Sequence, residues 1–278
     1  MPNLKIVRKI MMIAMLGWAI VALIISIGSS ALEAQDNPVG TNPAQNESQA
    51  TPSKISLSPQ DRADIFMARK SYDDAVDYYQ RALKQPDISA EVKGAIWNKL
   101  GIAYQQLQNY DQARKSYKQA MNLRPDFAEP WNNLGTTYFL VNKAKKSVKY
   151  YLHAIKVNPN SASFHMNLGT SYYKMKKYKE AVDEFQTALG LDPAILSERS
   201  SGGTVMQTRG ADANFYYLLA KTFARQGRAD EAIRYLRRAL EEGFKVDKRL
   251  EEDPDIKKIS QNPDYLELIK NPPVPIRD

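Results

Sequence analysis

The chain has 278 residues, with 39 Lys and Arg against 31 Asp and Glu, a formal net charge of +8 and no cysteine. Without cysteine there are no disulfides, no thiol catalysis, no cysteine-ligated metal and no lipidated N-terminal cysteine, and two histidines, His153 and His165, leave little room for a histidine-built metal centre. An apolar fraction of 43% and a charged fraction of 25% are those of a globular protein, and the basic excess points only weakly to an acidic partner.

At the N-terminus, Lys5, Arg8 and Lys9 precede an apolar run from Ile10 to Ile27, which ends in Gly28, Ser29, Ser30 and Ala31. A basic start, an apolar centre and a small-residue end read as a secretory signal peptide cut after Ala31. As a helix the run would be roughly 27 Å long at about 1.5 Å per residue, close to a bilayer core of about 30 Å. An uncleaved anchor within residues 1–34 is therefore the other reading. Both keep the basic flank cytoplasmic and put the remainder outside, in the periplasm or cell envelope. On either reading, membrane contact is expected only through residues 10–27. Residues 35–57 hold no aromatic and are rich in Asn, Gln, Ser, Thr and Pro, so they read as a flexible linker. Its root-mean-square span would be roughly 25–30 Å.

The next stretch repeats itself. Trp97, Leu100, Gly101 and Tyr104 return as Trp131, Leu134, Gly135 and Tyr138, then as His165, Leu168, Gly169 and Tyr172, each set following the last at the same interval. Downstream come Ala113, Tyr117, Ala120 and Pro125, then Ser147, Tyr151, Ala154 and Pro159, then Ala181, Phe185, Ala188 and Pro193. This register resembles the tetratricopeptide repeat, a helix–turn–helix unit of about 34 residues. Ser147 stands where the repeat has Ala, and His165 where it has its first aromatic.

Two weaker copies flank these three. Ala63, Phe66, Tyr72, Ala75, Tyr79 and Ala82 match after a four-residue offset, behind a Ser58-Pro59 helix start. Tyr216, Leu219, Ala220, Phe223, Ala232, Leu236 and Ala239 match after a 17-residue slip. The resemblance implies an all-α, right-handed superhelix, an α-solenoid of about five repeats over 58–242 (about 58–89, 94–127, 128–161, 162–195 and 213–242). An insertion at 194–212, read as a loop or small hairpin, interrupts it, and two capping helices are expected in 243–278. The first aromatic, the Gly and the Tyr of each first helix share one face at 100° per residue. The Gly and Ala positions let paired helices approach, and each pair must stack on neighbours to cover its apolar side.

Positions half a turn from that packing face line the concave side. They are Ala95, Lys99, Ile102 and Gln106; Glu129, Asn133, Thr136 and Leu140; Ser163, Asn167, Thr170 and Lys174; and Asn214, Leu218, Lys221 and Arg225. The candidate peptide-binding residues among them are Lys99, Gln106, Asn133, Thr136, Asn167, Thr170, Lys174, Lys221 and Arg225. Asn133 and Asn167 lie one repeat apart as a two-rung amide ladder, able to donate to and accept from an extended backbone. The same pair also reads simply as solvated asparagines at a position where the repeat commonly has Asn. The cations on this face outnumber Glu129, which mildly favours a partner with acidic or carboxylate groups. The resemblance also raises the chaperone-tail clamp of this family, but Asn98, Ile102, Ser163 and Asn167 stand where most of its residues should be, so that clamp is not expected.

No phosphate-binding glycine loop, nucleophile elbow or metal-spaced His/Glu pair is present, and neither His belongs to a catalytic constellation. The expectation is a non-enzyme without cofactor, metal or nucleic-acid partner. Two functional readings remain. One is an exported or membrane-tethered scaffold that holds a protein or peptide in its groove. The other is a structural subunit of an envelope complex, with contacts through the convex face and the 194–212 insertion.

Overall fold

A computed structural model describes residues 57–196 and 212–276. The N-terminal apolar run, the linker and most of the 194–212 insertion fall outside those residues, and with them the leader, tether and hairpin readings. Among the described residues no helix is long and apolar enough to cross a membrane.

What is described is entirely helical. The first pair is α1 (Pro59–Ala68) with α2 (Tyr72–Leu83), and the second is α3 (Ala90–Gln106) with α4 (Tyr110–Leu123). Then come α5 (Ala128–Leu140) with α6 (Ala144–Val157), and α7 (Ala162–Lys174) with α8 (Tyr178–Leu191). The fifth pair is α9 (Ala213–Arg225) with α10 (Ala229–Glu241). Several starts have a local cause. Ser58 accepts a hydrogen bond from the Asp61 amide with Pro59 in the first helical turn, and Ser89, Asn109 and Asp212 cap α3, α4 and α9 in the same manner.

The turn inside each pair shows the repeat directly. Lys70, Gln108, Asn142, Lys176 and Gly227 all have left-handed backbone, with φ of 60, 57, 59, 59 and 73°. In each case the next residue's amide closes back on the carbonyl of an aromatic in the first helix: Phe66, Tyr104, Tyr138, Tyr172 and Phe223. This is the helix-terminating bond that satisfies an orphan carbonyl. The intervals between these turns contain the four-residue offset and the 17-residue slip expected from the sequence.

Within a pair the helices interlock by size. A Cβ placed on Gly101 would come within 2.5 Å of the Tyr117 ring, on Gly135 within 2.8 Å of Tyr151, and on Gly169 within 2.6 Å of Phe185. Those three rings are wholly buried. The departure at Ser147 has its own solution: this buried hydroxyl meets the hydroxyl of Ser171 in the next pair at 2.7 Å and donates to the Ala144 carbonyl. A buried hydroxyl with a partner costs little.

The C-terminal region holds two short helices, α11 (Lys248–Glu252) and α12 (Pro263–Lys270), with a 3-10 turn (Ile256–Ile259) between them. The break falls at Asp253-Pro254-Asp255, where Asp253 accepts from the Asp255 and Ile256 amides and starts a new turn. Leu250, Ile256, Ile259, Tyr265 and Leu268 bury against the last pair.

His165, at the repeat's first aromatic position, is held between two acceptors: Nδ1 lies 2.6 Å from Glu184 Oε2, and Nε2 lies 3.0 Å from the Pro159 carbonyl. Only imidazolium donates to both. The Glu184 bond accordingly raises the His165 pKa above its ordinary value, against the opposing effect of burial. A raised folded pKa contributes stability that is present below about pH 6.5 and is lost as pH climbs through the folded value. The α7/α8 pair should thus melt a few degrees lower at pH 8.5 than at pH 5.5. His165→Trp should abolish the difference, and a thermal melt at the two pH values measures it.

Candidate functional site

The first helices of successive pairs, α3, α5 and α7, touch one another as well as their own partners, so they form the inner side of the stack. The positions expected to line a groove do fall on these helices and on α9, but they differ in availability. Gln106 and Lys174 are exposed, and Lys99 and Asn133 are half-buried. Thr136, Asn167 and Thr170 retain only 6%, 1% and 8% of their surface. The two threonines turn back on their own helices. Thr136 donates to the Asn132 carbonyl and meets the Tyr151 hydroxyl, and Thr170 donates to the Met166 carbonyl. Thr136 and Thr170 thus close the wall of the pair and do not project from it.

The asparagines are connected beyond the two-rung ladder. Asn167 donates to Asn132 Oδ1 at 2.9 Å, Asn132 to Asn133 Oδ1 at 3.3 Å, and Asn133 to Asn98 Oδ1 at 3.0 Å. Four amides therefore run as one chain of donors across α7, α5 and α3. Asn98 and Asn132 belong to it because the residue after the first aromatic is Asn in two consecutive repeats. That signal stood in the sequence beside the Asn133 and Asn167 register. An amide has two hydrogens and two lone pairs, so Asn133 keeps one of each beyond these bonds.

The inner-face cations are largely committed to the chain's own carboxylates. Lys99 donates to Asp64 Oδ2 at 2.6 Å, and Tyr79 donates to the other oxygen of that carboxylate at 2.5 Å. Lys221 pairs with Asp253 at 2.6 Å, and Tyr217 donates to the same oxygen at 2.8 Å. Arg225 forks Asp255 through Nε and Nη2 and reaches Asp183 through Nη1 at 2.9 Å. The expectation that these charges await an acidic partner is corrected accordingly. At the fifth pair the acidic segment on the inner face is the chain's own Asp253-Pro254-Asp255. Sequence spacing did not show this, because a whole helix, α10, separates the cap from the α9 helix it docks on. A cavity of about 290 Å³ remains beside it, lined by Tyr178, Val182, Asn214 and Leu218 together with Lys221 and Arg225.

His153 stacks on Trp131 with ring centres 3.6 Å apart, and burial holds its pKa below the ordinary value. Among the described residues no group of three His, Asp or Glu is placed to hold a metal ion.

Two family models match the chain, a TPR repeat over residues 101–142 and the fourth ARM domain of tetratricopeptide repeat protein 21 over residues 131–263. No curated protein matches it in sequence. Solved structures of similar fold include MamA, 22% identical, with 65% of this chain and 93% of that chain covered and a TM-score of 0.45. MamA from Desulfovibrio magneticus RS-1 is 16% identical, with 66% and 92% covered and a TM-score of 0.47. A thermophilic TPR protein of Thermus thermophilus is 20% identical, with 68% and 91% covered and a TM-score of 0.45. A constant repeat register, five equivalent left-handed turns, interlocked helix pairs and the matching repeat models together show a chain built of tetratricopeptide repeats.

Proposed function

We propose that the chain is an exported or membrane-tethered scaffold that holds an extended segment of a protein partner on the inner face of α3, α5 and α7. The chain of amides from Asn98 to Asn167 supports this reading. It fixes the orientation of Asn133 in advance, so that amide can engage a backbone without a further ordering cost. Exposed Gln106 and Lys174, with half-buried Lys99 and Ile102, stand on the flanking helices α3 and α7. Recognition through backbone groups needs no charge match, in keeping with cations already neutralised by Asp64, Asp253 and Asp255. Catalysis has no part in this role.

The test is site-specific photocrosslinking in cells, with a photoreactive residue at Gln106 or Lys174 on the inner face, or at Leu152, which is exposed on α6. Crosslinks to one protein from the two inner positions are expected. Their yield should fall about fivefold to tenfold in Asn133→Ala, the loss of one hydrogen bond worth about 1–1.5 kcal/mol. Crosslinks from Leu152 alone would move the contact to the outer helices and favour a structural subunit of an envelope complex.

A further inference from the structure

Between Glu129 and Glu180 the chain carries nine lysines and no Asp, Glu or Arg. The fold gathers six of them at one edge. Lys143, Lys145 and Lys146 surround the α5–α6 turn, and Lys174, Lys176 and Lys177 surround the α7–α8 turn, all exposed. The left-handed residues of these turns, Asn142 and Lys176, are repeat-equivalent, so the two turns lie side by side at the same end of neighbouring helix pairs. The opposite ends of the pairs carry Asp87, Asp126 and Asp192 in their connections. Among the described residues, the only carboxylate paired with any of the six is Glu180, 3.5 Å from Lys177.

Two further observations give this edge a purpose beyond solvation. The second helices of the other pairs have Asp or Glu in their first turn, whereas α6 has none and starts with Lys143 as its cap, followed by Lys145 and Lys146. Cations at a helix N-terminus oppose its dipole, so the lysines are present against the preference of the helix itself. Apolar groups also stand among them: Leu140 is 42% exposed and Tyr178 is 45% exposed.

We infer that this edge lies against an anionic phospholipid surface, the lysines in the headgroup field and Leu140 and Tyr178 at headgroup depth. Lysine is a flexible point charge that suits a diffuse layer of phosphates, whereas fixed bidentate recognition of a nucleic acid would call for arginine. Tyrosine is a residue of the bilayer interface. The apolar run at 10–27 and the linker after it, as read from the sequence, keep a bilayer within reach. The contact is additional to the one expected for residues 10–27, and of the six lysines only Lys174 also borders the inner face.

The lack of native cysteine allows a clean test. The full chain carrying Lys145→Cys, labelled with a fluorophore, is reconstituted with vesicles of phosphatidylcholine alone or with about 30 mol% phosphatidylglycerol, each containing a headgroup quencher. A second version carries the label at Asp126→Cys, on the opposite edge. Quenching at position 145 is expected only on the anionic vesicles, about fivefold or more above that at 126, and it should be relieved in about 0.5 M salt, where screening shortens to a few ångströms. Adding Lys143→Gln, Lys146→Gln, Lys174→Gln and Lys177→Gln should abolish it while the melting temperature holds or rises, which separates lost contact from lost fold. Equal quenching of the two labels, equal quenching on the two vesicle types, or a label silent on vesicles that responds to polyuridylate would each overturn the proposal.

Discussion

Gly101→Ala is expected to lower stability by about 1–3 kcal/mol, the cost of forcing one methyl into a closed core. The new atom would be placed 2.5 Å from a ring carbon of Tyr117, with further ring atoms at 2.6 and 3.0 Å. Tyr117 has no free direction of retreat, since the ring is wholly buried and its hydroxyl donates to Gln105. The protein itself shows the remedy. In the fifth pair the glycine position is Ala220 and the ring position is Leu236, both wholly buried. Gly101→Ala combined with Tyr117→Leu should thus be less destabilised than the sum of the two single changes, a coupling that a double-mutant cycle by thermal or urea unfolding measures. The first pair carries Ala63 opposite Tyr79, a spacing that includes the methyl from the outset, whereas at Gly101 the methyl must be inserted into a spacing already set. A full additive penalty in the double variant would mean that the two helices do not meet through this contact.

The second large effect is expected at the cap. Asp253→Ala together with Asp255→Ala removes both anions that Lys221 and Arg225 hold, leaving the cations on the inner face of α9 without them. Breaking paired charges of this kind costs about 3 kcal/mol or more. Leu250, Ile256, Ile259 and Leu268 would then lose their seat on the last pair. Trypsin should cut the double variant at Lys245 and Arg249 well before it cuts the repeats, and hydrogen exchange should rise first in α9 and the cap. Acid should imitate the change. Burial alone would raise the pKa of Asp253, but hydrogen bonds from Lys221 and Tyr217 outweigh it and hold the carboxyl below its ordinary value. A depressed folded pKa stabilises above about pH 4 and its contribution fades as pH falls through the folded value. Cap cleavage should therefore speed up in acid in the natural chain and lose that pH dependence in the double variant. Equal protease resistance in the two chains would show that the apolar contacts alone hold the cap.

The pairing of helices was legible because it depends on residue size at fixed spacing. Gly101, Gly135 and Gly169 could be matched to Tyr117, Tyr151 and Phe185 by counting, and the structure puts each glycine against the ring of its own pair's second helix. Which helix each candidate groove residue stands on followed from counting, since half a helical turn from a packed residue is fixed by geometry. What those residues do was not legible. Thr136 and Thr170 satisfy their own helices, which no periodicity distinguishes from projection into a groove. Lys221 and Arg225 are neutralised by a turn beyond the next helix, because charge pairing between distant segments leaves no period to detect. His165 was legible as the residue standing at the repeat's first aromatic position, and its partners were not. Its two acceptors, Glu184 and Pro159, lie in different parts of the fold and become visible only in three dimensions.

The contacts between helices join elements that are near neighbours along the stack, with no long strut among the described residues tying the first pair to the last. Such a body is compliant. A slight rotation at each joint between pairs, small enough to leave every glycine–ring interlock in place, sums to a large change in curvature between the ends. The inner surface can thereby tighten or relax with no hinge residue and no pair coming apart.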